Sequence, residues 1–259
     1  MNKTKIDWCD STFNPVTGCL HGCTYCYAKG IANRFKGYLK SGSYSGGKGI
    51  FDLESPCYKL NKSLNYEKAP YPFGFKPTFH RYRLDDYKNK KGRTIFVCSM
   101  ADLFGEWVPD EWIRDVFAAC EAAPQHRYLF LTKNPKRYIE LYNNKVLPYK
   151  ENFWFGTSCT TPSDEFVWFK DTPYKSFVSI EPILAPFGRF STSNFVNWVI
   201  VGAETGIRKN KITPEKEWID RIVRECKTSK TPVFMKESLK NIMGDDFIQE
   251  YPWEVEKDA

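Results

Sequence analysis

Six short runs of apolar, β-branched and aromatic residues constrain the fold most: 94–99 (TIFVCS), 128–132 (YLFLT), 153–158 (FWFGTS), 176–180 (SFVSI), 198–202 (WVIVG) and 232–235 (PVFM). None alternates apolar with polar residues, so both faces of each strand need cover, as in a parallel sheet between two layers. Helical spacing fills several of the gaps. One helix is expected over 109–122, with Trp112, Val116, Phe117 and Cys120 on one side; a second starts near Pro135 and carries Tyr138, Ile139, Leu141 and Tyr142. A third starts at Pro214 and carries Trp218, Ile219, Ile222, Val223 and Cys226. Proline suits a helix start, where its missing N–H has no partner to lose. Strands alternating with helices, with at least one more strand upstream, predict an α/β protein built as a full or partial (β/α) TIM-like barrel.

In such a barrel the chemistry sits at the carboxyl ends of the strands. Those ends carry Ser99 and Asp102, Thr132 and Lys133, Thr157 and Ser158, Ser179 and Glu181, Glu204 and Thr205, then Lys236 and Glu237. A hydroxyl, carboxylate or ammonium follows nearly every apolar run, which marks these positions as site candidates. Asp102 and Thr205 are equally suited to capping a helix.

Upstream of the first long run lies Cys19-Leu-His-Gly-Cys23-Thr-Tyr-Cys26. Three thiolates on one loop fall one short of the four cysteines of a protein-only cubane cluster and of a closed zinc site. One coordination position is therefore left for something other than protein. Zinc stays open as an alternative, with His21, Cys9 or Cys57 as the fourth ligand, although no second cysteine or histidine pair is present at zinc spacing. Nine cysteines, an odd number, and no apolar leader at the N-terminus argue against a disulfide framework.

The C-x3-C-x2-C loop, with Tyr25 before its last cysteine, resembles the signature of the radical S-adenosylmethionine (SAM) enzymes. That resemblance implies a [4Fe–4S] cluster on Cys19, Cys23 and Cys26, with S-adenosyl-L-methionine on the fourth iron. It also implies a barrel of the radical SAM type and an external electron donor of flavodoxin or ferredoxin type. Residues 5–34, then FGFKPTFH (73–80), IFVCSMADLF (95–104), PQHRYLFLTKNP (124–135), FGTSCT (155–160), SIEPIL (179–184), WVIVGAETG (198–206) and PVFMKES (232–238), are similar to a phage-associated radical-SAM-like family described as of unknown function. Where this chain has Cys9 the family pattern has threonine, so Cys9 is not assigned to the cluster. By position, Tyr25 would lie near the adenine. Ser99 and Asp102 would meet the methionyl amine and Lys133 the carboxylate. Ser158 and Glu181 would reach the ribose hydroxyls, with Glu204 behind them. Cys98 and Cys159, at strand ends, could return a hydrogen atom to a substrate radical or simply fill the core as small hydrophobes.

Charge is unevenly spread. Residues 27–93 hold 15 Lys and Arg against 5 Asp and Glu, whereas the whole chain is only +7. The same segment carries 13 tyrosines and phenylalanines among its bases. Bases neutralise phosphates and aromatics stack on unpaired bases, so DNA, RNA or a nucleotide is the expected substrate class; a lysine-rich solvated loop is the plain alternative. His80 lies here as a possible substrate ligand or proton donor, or as a structural histidine. His126 reads as a loop or capping residue. The expected organisation is one barrel domain over 1–240 with a basic, aromatic-rich insertion at about 36–92, then a tail over 241–259. No run of 18 apolar residues occurs, and a cytoplasmic protein without membrane partners is expected. Three functions fit: a radical SAM enzyme modifying or repairing a nucleic-acid base or nucleotide, one acting on a small metabolite or peptide side chain, and a non-catalytic metal-binding barrel.

Overall fold

A computed structural model describes residues 4–47, 49–164, 172–188, 196–206 and 208–255. The last four positions of the expected tail, 256–259, lie outside them. In chain order the first elements are β1 (Ser11–Phe13), β2 (Val16–Thr17), α1 (Tyr27–Arg34), β3 (Tyr44–Gly47), β4 (Ile50–Leu53), β5 (Tyr58–Leu60), β6 (Tyr66–Lys68) and β7 (Thr78–His80). There follow β8 (Thr94–Val97), α2 (Asp110–Glu121), β9 (Arg127–Thr132), α3 (Lys136–Asn143), β10 (Phe153–Cys159), β11 (Lys175–Ile180) and β12 (Trp198–Val201). The described chain ends with α4 (Lys216–Thr228), β13 (Val233–Met235), α5 (Lys240–Met243) and α6 (Pro252–Val255). All six apolar runs form strands, and the three expected helices appear as α2, α3 and α4.

The main sheet has the order β1-β8-β9-β10-β11-β12-β13, with every pairing parallel. The expected full or partial (β/α) barrel of the radical SAM type does not form. Seven strands make an open half-barrel, and among the described residues β13 and β1 are not hydrogen-bonded to each other. Strand residues alternate between two buried faces. Ile95, Val97, Tyr128, Phe130, Phe153 and Phe155 pack with α2 and α3, while Val178, Ile180, Val199, Val201, Val233 and Met235 pack with α4. Phe96, Leu129, Trp154, Phe177, Trp198, Ile200 and Phe234 line the other face around Trp8.

Trp8 reveals the curl. Phe96 on β8 and Trp198 on β12 are four strand spacings apart, about 19 Å in a flat sheet. Yet the Trp8 ring lies 4.7 Å from Phe96 and 6.4 Å from Trp198, which holds those two rings within about 11 Å of each other. The sheet therefore wraps around a buried indole. The gap between its edges is crossed by the segment that carries Trp8. Asp10 pairs with the start of β8 through its backbone N–H (2.9 Å to Thr94 O) and its carboxylate (2.7 Å from Thr94 N). Asp7 accepts from Glu237 N (2.8 Å) just beyond β13 and, through its carbonyl, from the Tyr251 hydroxyl (3.2 Å). Side chains and one backbone pairing do the work that an eighth strand does in a closed barrel.

The basic, aromatic-rich segment is ordered structure. It supplies β3, β4 and β7, which join β2 in a small mixed sheet of order β2-β7-β4-β3, and the β5–β6 hairpin beside it. Stacked Phe51 and Phe73 (3.8 Å between centroids) and buried Phe79 fill its interior. Among the described residues no helix is long and apolar enough to cross a membrane.

Candidate functional site

The cysteine loop leaves β2 and is pinned by backbone bonds before it turns into α1. Gly18 N donates to Met100 O (2.8 Å) and Cys19 N to Phe75 O (3.2 Å). Gly18 has φ +87°, and a Cβ there would collide with the Lys76 carbonyl, so this crossing requires glycine. Cys26 caps α1: its Sγ accepts from Lys29 N at 3.4 Å.

Cys19, Cys23 and Cys26 form one wall of a cavity of about 210 Å³ at the carboxyl ends of the main sheet. Ile6, Trp8, Phe75, Phe96, Leu131 and Pro182 give it an apolar lining. Tyr25, Tyr27, Ser99, Asp102, Lys133, Ser158, Glu181, Glu204 and Lys236 supply its polar groups. Burial pushes the Cys19 thiol up to about 12; a backbone bond at His21 opposes this, and Asp102, Cys23 and Cys26 add to it. Among the described residues, however, no three Cys, His, Asp or Glu groups converge to hold a metal ion.

The proposed fourth zinc ligands are engaged elsewhere or lie away from the cavity. Cys9 and Cys57 do not line it. His21 places Nε2 2.7 Å from Asp102 Oδ2 and rests edge-on against Trp107. Asp102 is itself saturated. Its oxygens also accept from Thr132 Oγ1 (2.8 Å), Lys133 N (2.9 Å) and Phe104 N (3.0 Å). A buried carboxylate has about four lone-pair sites, and all four are filled by protein, so Asp102 ties the cysteine loop to the ends of β8 and β9.

Lys133 reaches across the cavity to Ser158 Oγ (2.9 Å), its ammonium 5.4 Å from the Tyr25 ring centre. Burial would lower its pKa, but the Tyr25 hydroxyl, Cys23 and Asp164 outweigh that and raise it. Opposite, Lys236 Nζ lies 2.7 Å from Glu181 Oε2, an ion pair lacking good hydrogen-bond geometry at that oxygen. Burial again opposes the Lys236 charge, and Glu181, Asp7 and Cys9 together raise its pKa. Glu204 is gripped by Arg208 through two bonds of 2.6 Å, which hold its carboxyl below the usual range. Ser99 donates to Asn14 Oδ1 (3.1 Å), and its carbonyl accepts from the Tyr27 hydroxyl (2.7 Å).

All the expected cofactor and metal residues, Glu181 among them, therefore line one cavity. Glu181 is also a candidate for a catalytic role; Cys98, Cys159 and His80, the other candidates for one, do not line it. Cys98 is buried among Phe13, Val16 and Leu103, and Cys159 among Val178 and Ile180; burial pushes both thiols up to about 12. His80 lies in the small sheet, bonded to Thr17 Oγ1 (2.9 Å) and Tyr82 OH (3.0 Å). Burial holds its pKa well below the usual histidine value, with Arg83 adding to the effect. Sequence reasoning missed Tyr27, Asn14 and the apolar wall from Ile6 and Trp8. Tyr27 directly follows Cys26, a position that could have signalled it; the wall comes from the strap, which carries no motif.

The chain belongs to the family described as "Protein of unknown function (DUF5131)", which it matches over residues 3–244. No curated protein and no solved structure matches it.

Proposed function

We propose that the protein is a radical S-adenosylmethionine enzyme whose substrate is a nucleic-acid base or nucleotide. The observation that carries this reading is that Cys19, Cys23 and Cys26 all line one cavity, with no fourth cysteine among its described lining residues. A [4Fe–4S] cluster would be held by Cys19, Cys23 and Cys26 and would supply the electron that splits SAM into methionine and a 5′-deoxyadenosyl radical able to take a hydrogen atom from the substrate. Lys133 provides a compact positive charge for a carboxylate, steadied by Ser158 and Tyr25. Glu181 and Lys236 offer an acceptor and a donor on the facing rim, and Ser158 a hydroxyl. Ile6, Trp8, Phe75 and Phe96 exclude water from the space between them. The excess of basic residues over 27–93, with Phe35, Tyr44 and Tyr66 among its exposed aromatics, supports the nucleic-acid class, with the target base flipped out of any duplex to reach the cavity. A one-electron donor must come from outside the chain.

The test is anaerobic reconstitution with iron and sulfide. The wild-type chain should bind about four irons, and the Cys19→Ala/Cys23→Ala/Cys26→Ala variant essentially none. With dithionite and SAM, the loaded protein should yield 5′-deoxyadenosine, and deuterium should appear in it from labelled DNA or nucleoside. A fully loaded protein that releases no 5′-deoxyadenosine would overturn the chemistry. Transfer from a labelled peptide or metabolite, and from no nucleic acid, would overturn the substrate class.

A further inference from the structure

A second cavity, of about 500 Å³, opens at the amino end of the main sheet. It lies on the concave face that holds Trp8. Thr94, Arg127 and Lys175 each stand two residues before Phe96, Leu129 and Phe177, so their side chains fall on the same face as those three. Trp154 belongs to that face as well. The strand register sets Thr94 beside Arg127 and Trp154 beside Lys175. Trp253 of α6 packs against them, 4.0 Å from the Arg127 guanidinium and 5.7 Å from the Trp154 ring.

The concave face of such a sheet is ordinarily filled by apolar side chains. Here Arg93, Arg127 and Lys175 all line the cavity. Of the two carboxylates in its lining, Asp10 accepts from Thr94 N (2.7 Å) and Glu151 is exposed. Three lining residues also hold a buried polar atom with no hydrogen-bond partner: Arg93 Nε, Trp154 Nε1 and His126 Nδ1. The first two can only donate. His126 Nε2 lies 3.0 Å from the Tyr87 carbonyl oxygen, so the ring proton sits there and Nδ1 is left as an acceptor. Each such atom costs roughly 1–3 kcal/mol while it has no partner, and three around one cavity point to a ligand. Clustered cations and N–H donors suit a phosphate group, which the arginine fork fits well. The acceptor on His126 suits a hydroxyl on the same molecule. The volume is that of a small-molecule site.

We infer that this cavity binds a small phosphate monoester bearing hydroxyl groups, of the sugar-phosphate or nucleoside monophosphate kind. Lys133, in the cysteine cavity, lies six residues beyond Arg127, roughly 20 Å at ~3.3 Å per residue. The ligand is therefore separate from whatever the cysteine cavity holds, and its binding does not depend on the chemistry proposed there. Reactions on such sheets belong to the carboxyl ends, so the amino-end cavity is assigned binding alone.

Isothermal titration calorimetry of ribose 5-phosphate, AMP and inorganic phosphate onto the full chain tests this. At least one of the two esters should bind with a Kd of about 1 mM or tighter, and more tightly than inorganic phosphate. Arg93→Gln/Lys175→Gln should weaken that binding about tenfold or more. Trp154→Phe keeps an aromatic ring and removes the N–H, and should weaken it about threefold; this variant carries the test if the double variant proves unstable in urea. Lys62→Gln, exposed elsewhere, should change binding less than about twofold. The tighter ester identifies the carbon frame. Failure of both esters to bind, or equal binding by the double variant and by Trp154→Phe, overturns the site. Inorganic phosphate bound as tightly as the esters overturns the hydroxyl-bearing ligand.

Discussion

The cavity of the main sheet and the interior of the small sheet are both rich in histidine, acid and base, but they use them in opposite ways. In the small sheet polar groups are turned inward and satisfied by one another. His80 lies between Thr17 and Tyr82, and Arg81 holds Asp52 through Nε (2.9 Å) and a second nitrogen (2.8 Å) while also meeting Asp115 (2.6 Å). Arg83 is spent on the carbonyls of Asn14 and Pro70. In the cavity, His21 and Asp102 are equally well bonded, yet their bonds fix a loop whose three sulfurs face open space. Satisfied polar groups build a site when what they anchor faces a void, and they build a core when it does not.

The largest effect expected from breaking this contrast is at Trp8, which belongs to both the curled sheet and the cavity wall. Trp8→Ala should cost about 3–5 kcal/mol, because a buried indole touching Phe96, Phe177 and Trp198 leaves a void that those rings cannot fill. Trp8→Phe should cost roughly half as much. Urea unfolding measures both, and a cost below about 1 kcal/mol for Trp8→Ala would mean that the sheet does not depend on its plug.

Asp102 comes next and separates the two regions most sharply. Asp102→Asn keeps the shape but replaces one acceptor oxygen by a donor, leaving bonds from His21 or Lys133 N unmade in a buried setting. A loss of about 2–3 kcal/mol is expected. Iron uptake should fall with it, since His21 would no longer hold the cysteine loop. The matched change in the small sheet, Arg81→Met, should cost about 1–2 kcal/mol, partly screened by salt, and leave iron content untouched. If Arg81→Met lowers iron content as much as Asp102→Asn does, the two regions are not independent.

Much of the main sheet was legible because its strands are buried on both faces and carry unbroken apolar runs. Its failure to close was not legible, because closure depends on how an unpatterned segment, Asp7 to Asp10, fits between two edges. The cavity residues were readable by position: a polar group after each strand ends up at the same rim in an open half-barrel as in a closed one. What those groups touch was hidden. Glu204 and Asp102 look like ligand groups in the sequence, and only the fold reveals that Arg208 and four donors already hold them. The basic segment is mixed, since its charge excess includes Arg81 and Arg83, which bond to protein groups.

The smallest predicted effect concerns pH and the small sheet. His80 is buried and neutral, its pKa depressed by burial and by Arg83. In the unfolded chain it titrates near ~6.5. Between those two values the unfolded chain takes up a proton that the folded one refuses, so stability must fall as pH drops below about 6.5. From pH 7 to pH 5.5 this residue alone should remove stability on the order of 1 kcal/mol. His80→Gln can keep one hydrogen bond to Thr17 or Tyr82 and cannot titrate. It should be less stable than the wild type at pH 7, yet its deficit should shrink by about 1 kcal/mol at pH 5.5. Urea unfolding of both proteins at the two pH values measures the difference. A deficit that stays constant would mean that His80 takes up its proton in the folded chain, and that the interior of the small sheet opens to water as the cavity does.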